Sequence, residues 1–416
     1  MGHRYIDESW DFKNENTKGF THCFHTYPAM MIPQIAKRLL EKYANKSALL
    51  FDPYCGTGTS LVEANLNNIN AIGTDLNPLA CLIAKTKTTP IDEQTLDLFL
   101  KDFNDKVFYL RFGINKSDSI VLPNFKNIDY WFTKDVQKQL AIIKQYIDNI
   151  NNIYVKQFFQ VAFSETVRET SLTRKSEFKL YRVPEKQIAN FSPDVLAIIE
   201  KKLSRNRKGL LEFIKEKKNN SISNIFSFDT KIEIPGNILN NNSVDIVITS
   251  PPYGDSRTTV AYGQFSRLAN QWLGYEDASK LDNKLMGGKA SEFYNFDNTV
   301  LNNAIEIIGQ KDKKRVKDVI AFYKDYRDSI NNVSKTLKSG GYVCYVVGNR
   351  SVKGVVLKTD EITKTMFEQN GFEHIETIIR NIPNKRMPSK NSPSNITGEL
   401  GSTMNSEYIV VMRKSC

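Results

Sequence analysis

Apolar and polar residues follow one another along this chain in a pattern that predicts strands separated by helices. Short apolar runs rich in β-branched residues predict five strands, at 47–51, 70–74, 244–249, 341–347 and 407–412, with 376–382 as a sixth candidate. Apolar residues at helical spacing lie between several of these runs, as at 32–43 and 316–337. Because strands that alternate with helices form parallel sheets, the pattern predicts an α/β fold with a mostly parallel sheet and helices on both faces.

The stretch from 96 to 235 breaks this alternation. Its periodicity predicts helices, at 134–150, 154–169, 192–203 and 210–217. It is polar and rich in Lys and Asn, and a loop is predicted at 171–182. We therefore expect a catalytic domain in two parts, 1–95 and 236–416, with a mainly helical inserted lobe at 96–235. A further long loop is predicted at 381–403, where Asn, Ser, Pro and Gly dominate.

Positive charge is concentrated in the predicted lobe. The 416 residues include 57 Lys or Arg and 46 Asp or Glu, which gives a net charge of +11 and a pI near 9.1. Residues 151–220 alone hold 15 basic and 8 acidic residues, so seven of the eleven net charges lie there. Such an excess favours a polyanionic partner, although a solvated basic helix face would give the same count.

Other compositional features narrow the class of protein. No apolar run approaches the ~18–20 residues of a membrane-spanning helix, and the first residues lack the apolar stretch of a signal peptide. The five cysteines are scattered and match neither a disulfide framework nor a zinc site, and His22 and His25 have no partners at ligand spacing. These features predict a cytoplasmic protein without a metal site.

One predicted strand-to-helix junction has the composition of a ligand loop. The strand at 47–51 leads into Asp52-Pro53-Tyr54-Cys55-Gly56-Thr57-Gly58-Thr59-Ser60. Gly56 and Gly58 remove Cβ atoms where the backbone must approach a ligand. A phosphate loop is excluded because no Gly-Lys-Ser/Thr follows, and Leu61 stands where a dinucleotide fingerprint requires glycine.

A second acidic residue, Asp75, stands at the end of the next predicted strand. A carboxylate there can accept both hydroxyls of a ribose, although Asp75 taken alone is as typical of a helix N-cap. Combined with Asp52 and the two glycines, it indicates a nucleoside ligand with a cationic tail and no pyrophosphate. S-adenosylmethionine is such a ligand, since its amino group and sulfonium favour carboxylates.

A third motif, Thr249-Ser250-Pro251-Pro252-Tyr253, ends the apolar run that starts at Val244. Proline fixes φ and lacks an N–H, so the pair cannot continue a central strand and predicts a stiff turn with outward carbonyls. A strand end and a tight turn would explain the motif if it stood alone. Next to a nucleoside site, a hydroxyl, free carbonyls and an aromatic ring suit a flat heterocycle with an amino edge.

These motifs resemble those of the amino-group DNA methyltransferases. The resemblance runs through motif X at 24–30, motif I at 52–60, motif II at 73–80, motif III at 236–237, motif IV at 249–253, motif V at 266–274 and motif VI at 337–342. Motifs I and IV are specific, whereas III, V and VI are loose. The resemblance implies a Rossmann-like, S-adenosylmethionine-dependent methyltransferase fold with a mostly parallel seven-stranded sheet.

The resemblance also implies roles for individual residues. It implies that S-adenosylmethionine is bound by Tyr27, Pro28, Asp52, Tyr54, Cys55, Gly56, Gly58, Thr59, Asp75, Leu76, Asn237 and Ser250. It implies that the catalytic turn consists of Ser250, Pro251, Pro252 and Tyr253. We expect the Ser250 hydroxyl and the Pro251 carbonyl to hold the two amine hydrogens, and Tyr253 to stack on the base.

The residue at position 250 bears on which base is methylated. A serine in the first position of the Ser-Pro-Pro-Tyr motif is typical of cytosine-N4 enzymes, whereas adenine-N6 enzymes more often have Asp or Asn. Most cytosine-N4 members have a permuted motif order that this chain lacks, so an adenine-N6 enzyme is the alternative. Less favoured are an RNA guanine-N2 methyltransferase and a non-catalytic DNA-binding partner that keeps the fold.

A double-stranded DNA substrate leads to further expectations. The target nitrogen is unreachable inside a duplex, so the base must be flipped out, and basic side chains that contact phosphates can offset the cost. We expect recognition from the lobe and DNA contacts from Arg168, Arg174, Lys175, Lys179, Arg182, Arg257, Lys385, Arg386 and Lys390. A restriction–modification or phage-defence role is typical of such enzymes, which makes a cognate restriction endonuclease a predicted partner.

Overall fold

The computed structural model of the chain describes residues 2–112, 120–175, 177–255, 259–292, 294–382, 390–391, 401–402 and 405–416. The strands are β1 His3–Ile6, β2 Leu49–Asp52, β3 Asn70–Thr74, β4 Ser223–Phe226, β5 Val244–Thr249, β6 Leu337–Val347, β7 Arg350–Val352, β8 Val355–Leu357, β9 Phe372–Asn381, β10 Lys390–Asn391, β11 Gly401–Ser402 and β12 Ser406–Lys414.

The helices lie mostly between these strands. They are α1 Pro33–Tyr43, α2 Thr59–Leu66, α3 Pro78–Thr88, α4 Glu93–Arg111, α5 Ile128–Trp131, α6 Lys134–Asp148, α7 Ile153–Thr170, α8 Glu185–Ile188, α9 Val195–Glu216, α10 Tyr262–Leu273, α11 Leu281–Lys284, α12 Thr299–Lys311, α13 Lys313–Thr336 and α14 Thr359–Glu368. Two short 3-10 helices, Glu8–Trp10 and Phe20–Phe24, precede α1.

Eight strands form one sheet, in the order β4-β3-β2-β5-β6-β12-β9-β1. Neighbouring strands are parallel, except that β12 is antiparallel to both β6 and β9. The predicted α/β fold with a mostly parallel sheet is therefore confirmed. The number of strands is eight rather than seven, because β1 pairs with β9 and extends the edge of the sheet.

Within this sheet, the two strands that the sequence pattern did not predict, β1 and β4, lie at its two edges. All four residues of β1 are exposed, and only Ile225 is buried in β4. A short edge strand needs no continuous apolar run, since one side and much of its surface face water. The hydrophobic pattern therefore carries no signal for either of them, although β4 determines where one wall of the site lies.

Central strands distribute alternate side chains to two cores on opposite faces of the sheet. Leu50 and Ile246 pack with α1 and α2 on one face, whereas Phe51 and Val247 pack with α12, α13 and α14 on the other. Both faces of a parallel sheet are covered by helices, so its central strands are apolar throughout. This explains why β2 and β5 were predicted from uninterrupted apolar runs.

The stretch predicted as a lobe contains α4 to α9 and shares a core with the catalytic fold. Apolar residues of α4, α6, α7 and α9 pack with Leu79 and Leu82 of α3 and with Phe265 and Trp272 of α10. The helices end at Glu216, and β4 then joins the main sheet beside β3. The helical insertion in the structure therefore ends before the predicted boundary at 235.

One helix, α9, replaces the two that were predicted at 192–203 and 210–217. Gly209 lies inside it, and a Cβ there would lie 2.3 Å from the carbonyl oxygen of Phe20 and 2.6 Å from Cys23 Sγ. The glycine therefore permits close contact with the helix at 20–24 instead of ending α9. Apart from residues 381–382, 390–391 and 401–402, the loop predicted at 381–403 lies outside the described residues.

Candidate active site

Asp52, the last residue of β2, is buried, and both oxygens of its carboxylate accept hydrogen bonds. Its carboxylate accepts hydrogen bonds from the Ser60 hydroxyl, from Thr249 Oγ1 at 2.6 Å and from the Tyr54 backbone N–H at 3.1 Å. Thr249 ends β5, so Asp52 joins the two central strands at this edge. Burial raises the pKa of Asp52 to about 6, while the hydrogen bonds oppose the rise.

The turn between β2 and α2 depends on two glycines in the left-handed region. Gly56 has φ +47° and Gly58, which precedes the first residue of α2, has φ +76°. A Cβ on Gly58 would lie 2.9 Å from Ala84 Cβ, whereas a Cβ on Gly56 would meet nothing within 4 Å. Gly58 thus allows α2 to pack against α3, and Gly56 leaves its side of the turn open.

Asp75, after the end of β3, faces this turn. Its carboxylate accepts the Gly56 backbone N–H at 3.1 Å and the Asn77 backbone N–H at 2.7 Å. Burial raises the pKa of Asp75 to about 6, against the effect of these bonds. Each carboxylate oxygen can accept more than one hydrogen bond, so Asp75 retains capacity for ligand hydroxyls.

These residues border an open cleft, in which the space between atoms amounts to about 1070 Å³ with the adjoining solvent included. One wall contains Tyr27, which stacks on Tyr262 with ring centroids 6.0 Å apart and accepts a 2.7 Å hydrogen bond from Asn77 Nδ2. Phe228, Asp229, Thr230 and Lys231, after β4, form the opposite wall. Two buried carboxylates and aromatic walls fit a nucleoside with a cationic tail.

The turn after β5 lies between this cleft and a second, smaller cavity. Ser250 and Pro252 line the cleft, whereas Ser250, Pro251 and Tyr253 line the second cavity, which has about 480 Å³ of empty space. Ala29, Met30, Met31 and Tyr262 also line both spaces. The Ser250 hydroxyl therefore lies where a ligand in one cavity can meet a ligand in the other.

Among the described residues that line the second cavity, Glu407 of β12 has an acidic side chain. Tyr253 donates a 3.0 Å hydrogen bond from its hydroxyl to Glu407 Oε1, and its oxygen lies 3.2 Å from Ser250 Oγ. Arg380 of β9 donates to the other oxygen of Glu407. Burial, followed by the charge of Glu407, raises the pKa of Tyr253 well above its usual range, so the phenol keeps its proton.

The structure brings most of the predicted site residues together. Those that line the cofactor cleft are Tyr27, Pro28, Asp52, Tyr54, Cys55, Gly56, Thr59, Asp75, Leu76, Ser250 and Pro252. Pro251 and Tyr253 line only the second cavity, and Gly58 packs behind the turn. Cys55 is buried, which raises the pKa of its thiol well above the usual range.

Asn237 is not part of this arrangement and needs a correction. It is exposed, and it does not line either cavity. The prediction placed motif III at 236–237 because Gly236-Asn237 resembles that motif. The residues after β4, Phe228 to Lys231, occupy the wall instead. The wall residue Tyr262 was also missed, as was Glu407, which lies more than 150 residues from Tyr253 in the chain.

The basic residues predicted to contact DNA differ in how free their side chains are. Arg168 stacks on Phe265 and donates to the Phe265 and Glu177 carbonyls, and Arg182 donates to Glu185 and to the Tyr130 carbonyl. Lys175 Nζ donates to the carbonyls of Arg168 and Ser171.

The remaining predicted DNA contacts are more exposed or are not described. Arg174 is exposed and Lys179 is half-buried. Arg257, Lys385 and Arg386 lie outside the described residues, as does the side chain of Lys390.

Two further findings concern the described part of the chain. No group of three or more His, Cys, Asp or Glu side chains there could hold a metal ion. Among the same residues, no helix has the length and apolar character needed to cross a bilayer.

The fold and the cleft together define an S-adenosylmethionine-dependent methyltransferase. A family model described as DNA methylase matches residues 2–86. The type II methyltransferase M.MvaI of Kocuria varians is 39% identical over 427 residues, covering 97% of this chain and 93% of that protein. The chain therefore belongs to the amino-group DNA methyltransferase family, and its substrate is DNA.

Two other relatives match less of the chain or at lower identity. M.BsoBI of Geobacillus stearothermophilus, a type II methyltransferase, is 20% identical over 415 residues, covering 85% of this chain and 79% of that protein. M.MjaII of Methanocaldococcus jannaschii, also a type II methyltransferase, is 37% identical over 94 residues, covering 23% of this chain and 18% of that protein.

Proposed function

We propose that this protein methylates the exocyclic N4 of a cytosine that is flipped out of duplex DNA. The observation that carries the proposal is the position of Ser250, a neutral hydroxyl on the boundary between the cofactor cleft and the second cavity. Serine at this position is typical of cytosine-N4 enzymes. An adenine-N6 enzyme is the second candidate, because its target is also an exocyclic amine.

The cofactor cleft suits the methyl donor. Asp75 has room for ribose hydroxyls, Asp52 contributes a second buried carboxylate near a cationic tail, and Tyr27 and Phe228 form apolar walls. When bound, S-adenosylmethionine supplies an electrophilic methyl group on a sulfonium. The role of the protein is then to hold an amine at the adjoining opening in the correct orientation.

The turn at 250–253 supplies that orientation. An exocyclic amine is a poor nucleophile because its lone pair is delocalised into the ring. We assign one amine hydrogen to the Ser250 hydroxyl oxygen and the other to the Pro251 carbonyl, which makes the nitrogen pyramidal. Tyr253, which lines the same cavity, provides a ring for stacking. Fixed acceptors of this kind act through orientation and electrostatics.

We assign DNA recognition to the helical lobe and the segments around it. A base inside a duplex cannot reach the second cavity, so the enzyme must flip it out, and phosphate contacts help to offset the cost. Arg174 and Lys179 are the lobe residues best placed for such contacts, because Arg168, Lys175 and Arg182 already bond to protein groups.

The biological role that we propose is modification within a restriction–modification system. The names of the relatives describe type II methyltransferases. A cognate restriction endonuclease that cleaves the unmodified site would be the functional partner. We place the enzyme in the cytoplasm, and its cysteines, all of them free, are consistent with a reducing compartment.

The proposal is tested by identifying the methylated nucleoside. Unmethylated plasmid DNA is incubated with the protein and S-adenosylmethionine, digested to nucleosides and analysed by mass spectrometry. We expect N4-methylcytosine with wild-type protein and about 10²–10³-fold slower formation of it with Ser250→Ala. N6-methyladenine as the sole product would establish the second candidate, and the absence of any methylated nucleoside would refute both.

A further inference from the structure

Three polar groups extend from the boundary between the cavities into the sheet. Ser250 Oγ lies 3.2 Å from the Tyr253 hydroxyl, which in turn donates to Glu407 Oε1 at 3.0 Å. All three side chains line the second cavity. A hydrogen-bonded chain therefore connects the residue nearest the reacting amine to a carboxylate on β12, two hydrogen bonds away.

The donor in each of these two hydrogen bonds can be assigned by starting from Glu407. An ionised Glu407 has no proton to donate, so Tyr253 uses its only hydroxyl proton in the bond to Glu407. The bond between Ser250 and Tyr253 must then use the proton of Ser250. The lone pairs of the Ser250 oxygen are thereby left to accept a hydrogen from an amine in the cavity.

Glu407 is kept in place by a buried arginine. Arg380 donates to its second oxygen, and other N–H groups of Arg380 bond to the carbonyls of Trp10 at 2.8 Å and of Asp11 at 3.2 Å. The Arg380 side chain is only 5% exposed. A buried cation that is itself fixed on several sides holds the geometry of the carboxylate that it pairs with.

Methylation of a neutral amine creates a proton that must leave. The nitrogen lone pair forms the new N–C bond while the electron pair of the C–S bond stays on sulfur. The nitrogen then has one methyl, two hydrogens and a positive charge. A serine hydroxyl is too weak a base to take this proton, so the proton must pass beyond Ser250.

Building on the proposed function, we propose that Glu407 is the terminal acceptor of this proton, which reaches it through Ser250 and Tyr253. The amine proton moves to the Ser250 oxygen as the Ser250 proton moves to Tyr253 and the Tyr253 proton moves to Glu407. Charge balances, because the cationic amine and the carboxylate both become neutral. Glu407 returns the proton to solvent after the methylated base leaves the cavity. Glu407 acts through Tyr253 and is a positioning residue for the reaction.

The first test replaces the carboxylate with its neutral isostere. With Glu407→Gln we expect the single-turnover methylation rate on plasmid DNA to fall about 10²-fold or more, the range for loss of a general base. Affinity for S-adenosylhomocysteine by calorimetry and for DNA by anisotropy should stay within about twofold of wild type, since Glu407 acts in proton transfer. A structural defect would lower these affinities as well.

A matched control is available on the neighbouring strand. Glu376 of β9 also accepts hydrogen bonds from tyrosine hydroxyls, those of Tyr5 and Tyr43, but it lines neither cavity. Glu376→Gln removes the same charge from the same sheet and should leave the single-turnover rate unchanged. A similar loss in both variants would overturn the proposal.

A second variant tests Tyr253, the residue between Ser250 and Glu407. Tyr253→Phe keeps the aromatic ring and removes the hydroxyl, so it should lower the rate as much as Glu407→Gln does. The double variant should be no slower than either single variant, because the two residues act in one pathway. Full additivity of the two losses would overturn the relay.

The outcome for this relay can be separated from the outcome for the proposed function. If wild type produces N4-methylcytosine and Glu407→Gln is equally fast, the relay is wrong and the proposed function stands. If wild type methylates no base, the proposed function itself fails.

Discussion

The two cavities that meet at Ser250 are built in different ways. The cofactor cleft is assembled mainly from short contiguous segments after β2, β3 and β4, each at the carboxyl end of a parallel strand. The second cavity combines residues 29–31, the turn after β5 and Glu407 near the end of the chain. A site made of local segments is visible as sequence motifs, whereas a site made by long-range pairing is visible only in the fold.

The groups that hold the carboxylates of the two cavities in place also differ in how far away in the sequence they lie. Asp52 and Asp75 are held by groups from their own loops and from the neighbouring strand β5. Glu407 is held by Arg380, which depends on backbone carbonyls near the N-terminus. We therefore expect substitutions of Asp52 or Asp75 to alter cofactor binding, and substitutions of Glu407 or Arg380 to alter methyl transfer.

The largest effect expected in the cofactor cleft comes from Asp75. With Asp75→Asn, affinity for S-adenosylhomocysteine should fall about 10- to 100-fold, consistent with the ~1.5–3 kcal/mol of a hydrogen bond to a charged group. Calorimetry measures this directly. Asp92→Asn, which changes an exposed carboxylate that caps α4, is the control and should bind normally. Equal affinities for both variants would show that Asp75 does not contact the ligand.

Gly58 tests whether the turn after β2 needs its left-handed conformation. Gly58→Ala forces a side chain into φ +76° and against Ala84, so the free energy of unfolding should fall by about 1–3 kcal/mol. Gly236→Ala, at an exposed position with no neighbour within 4 Å, should change it by less than about 0.5 kcal/mol. Urea denaturation compares the two, and equal stabilities would contradict the account of the turn.

The raised pKa values of Asp52 and Asp75 predict a pH dependence of cofactor binding. Both lie near 6, so each carboxyl takes up a proton as the pH falls from 7 to 5. Affinity for a cationic ligand should fall over this range, by about tenfold for each carboxylate that must be charged. Asp75→Asn should flatten the part of the profile that Asp75 causes, and a flat wild-type profile would contradict the prediction.

The same shifts have an opposite effect on the stability of the empty protein. A carboxyl whose pKa is raised by folding binds its proton more tightly in the folded state. Its stabilising contribution is complete below its unfolded pKa of 3.8 and is lost as the pH rises through 6. Bound cofactor should therefore raise the melting temperature more at pH 7 than at pH 5.

The smallest effect is expected in the lobe. Arg174→Ala should weaken DNA binding a few-fold and reduce the slope of log affinity against log salt by about one. Arg168→Ala is the comparison, because its guanidinium bonds to protein carbonyls and stacks on Phe265. It should lower stability and leave the salt slope unchanged. A changed slope for Arg168→Ala alone would reverse our assignment of the two residues.

Much of the fold and of the cofactor cleft could be predicted from the sequence. The central strands are buried on both faces and are therefore mostly apolar. Asp52 ends β2, Gly56 lies in the turn after it, and Asp75 follows β3 directly. The edge strands β1 and β4 could not be predicted, because they bury almost nothing. Asn237 was predicted from a loose motif resemblance, whereas the residues that line the cleft, Phe228 to Lys231, follow β4.

The position of Glu407 in the site could not be predicted from the sequence, for a different reason. It was predicted as the start of a strand, but nothing in the local sequence indicates that the strand passes Tyr253. That neighbourhood depends on β12 lying between β6 and β9 in reversed direction. Sequence spacing does not determine which edge of a strand lies next to a distant turn, so only the sheet topology shows the contact.

The most direct test of the central claim is a single-turnover methylation assay with Ser250→Ala/Tyr253→Ala, with cofactor binding measured on the same preparation. We predict an affinity for S-adenosylhomocysteine within a few-fold of wild type, because Asp52 and Asp75 are unchanged and Ser250 lines the cofactor cleft only at its boundary with the second cavity. We also predict a loss of methyl transfer to DNA of about 10³-fold or more, since fixed polar groups at a reacting centre contribute ~10²–10³-fold each. Methyl transfer at the wild-type rate would show that the turn after β5 is not where the amine is methylated.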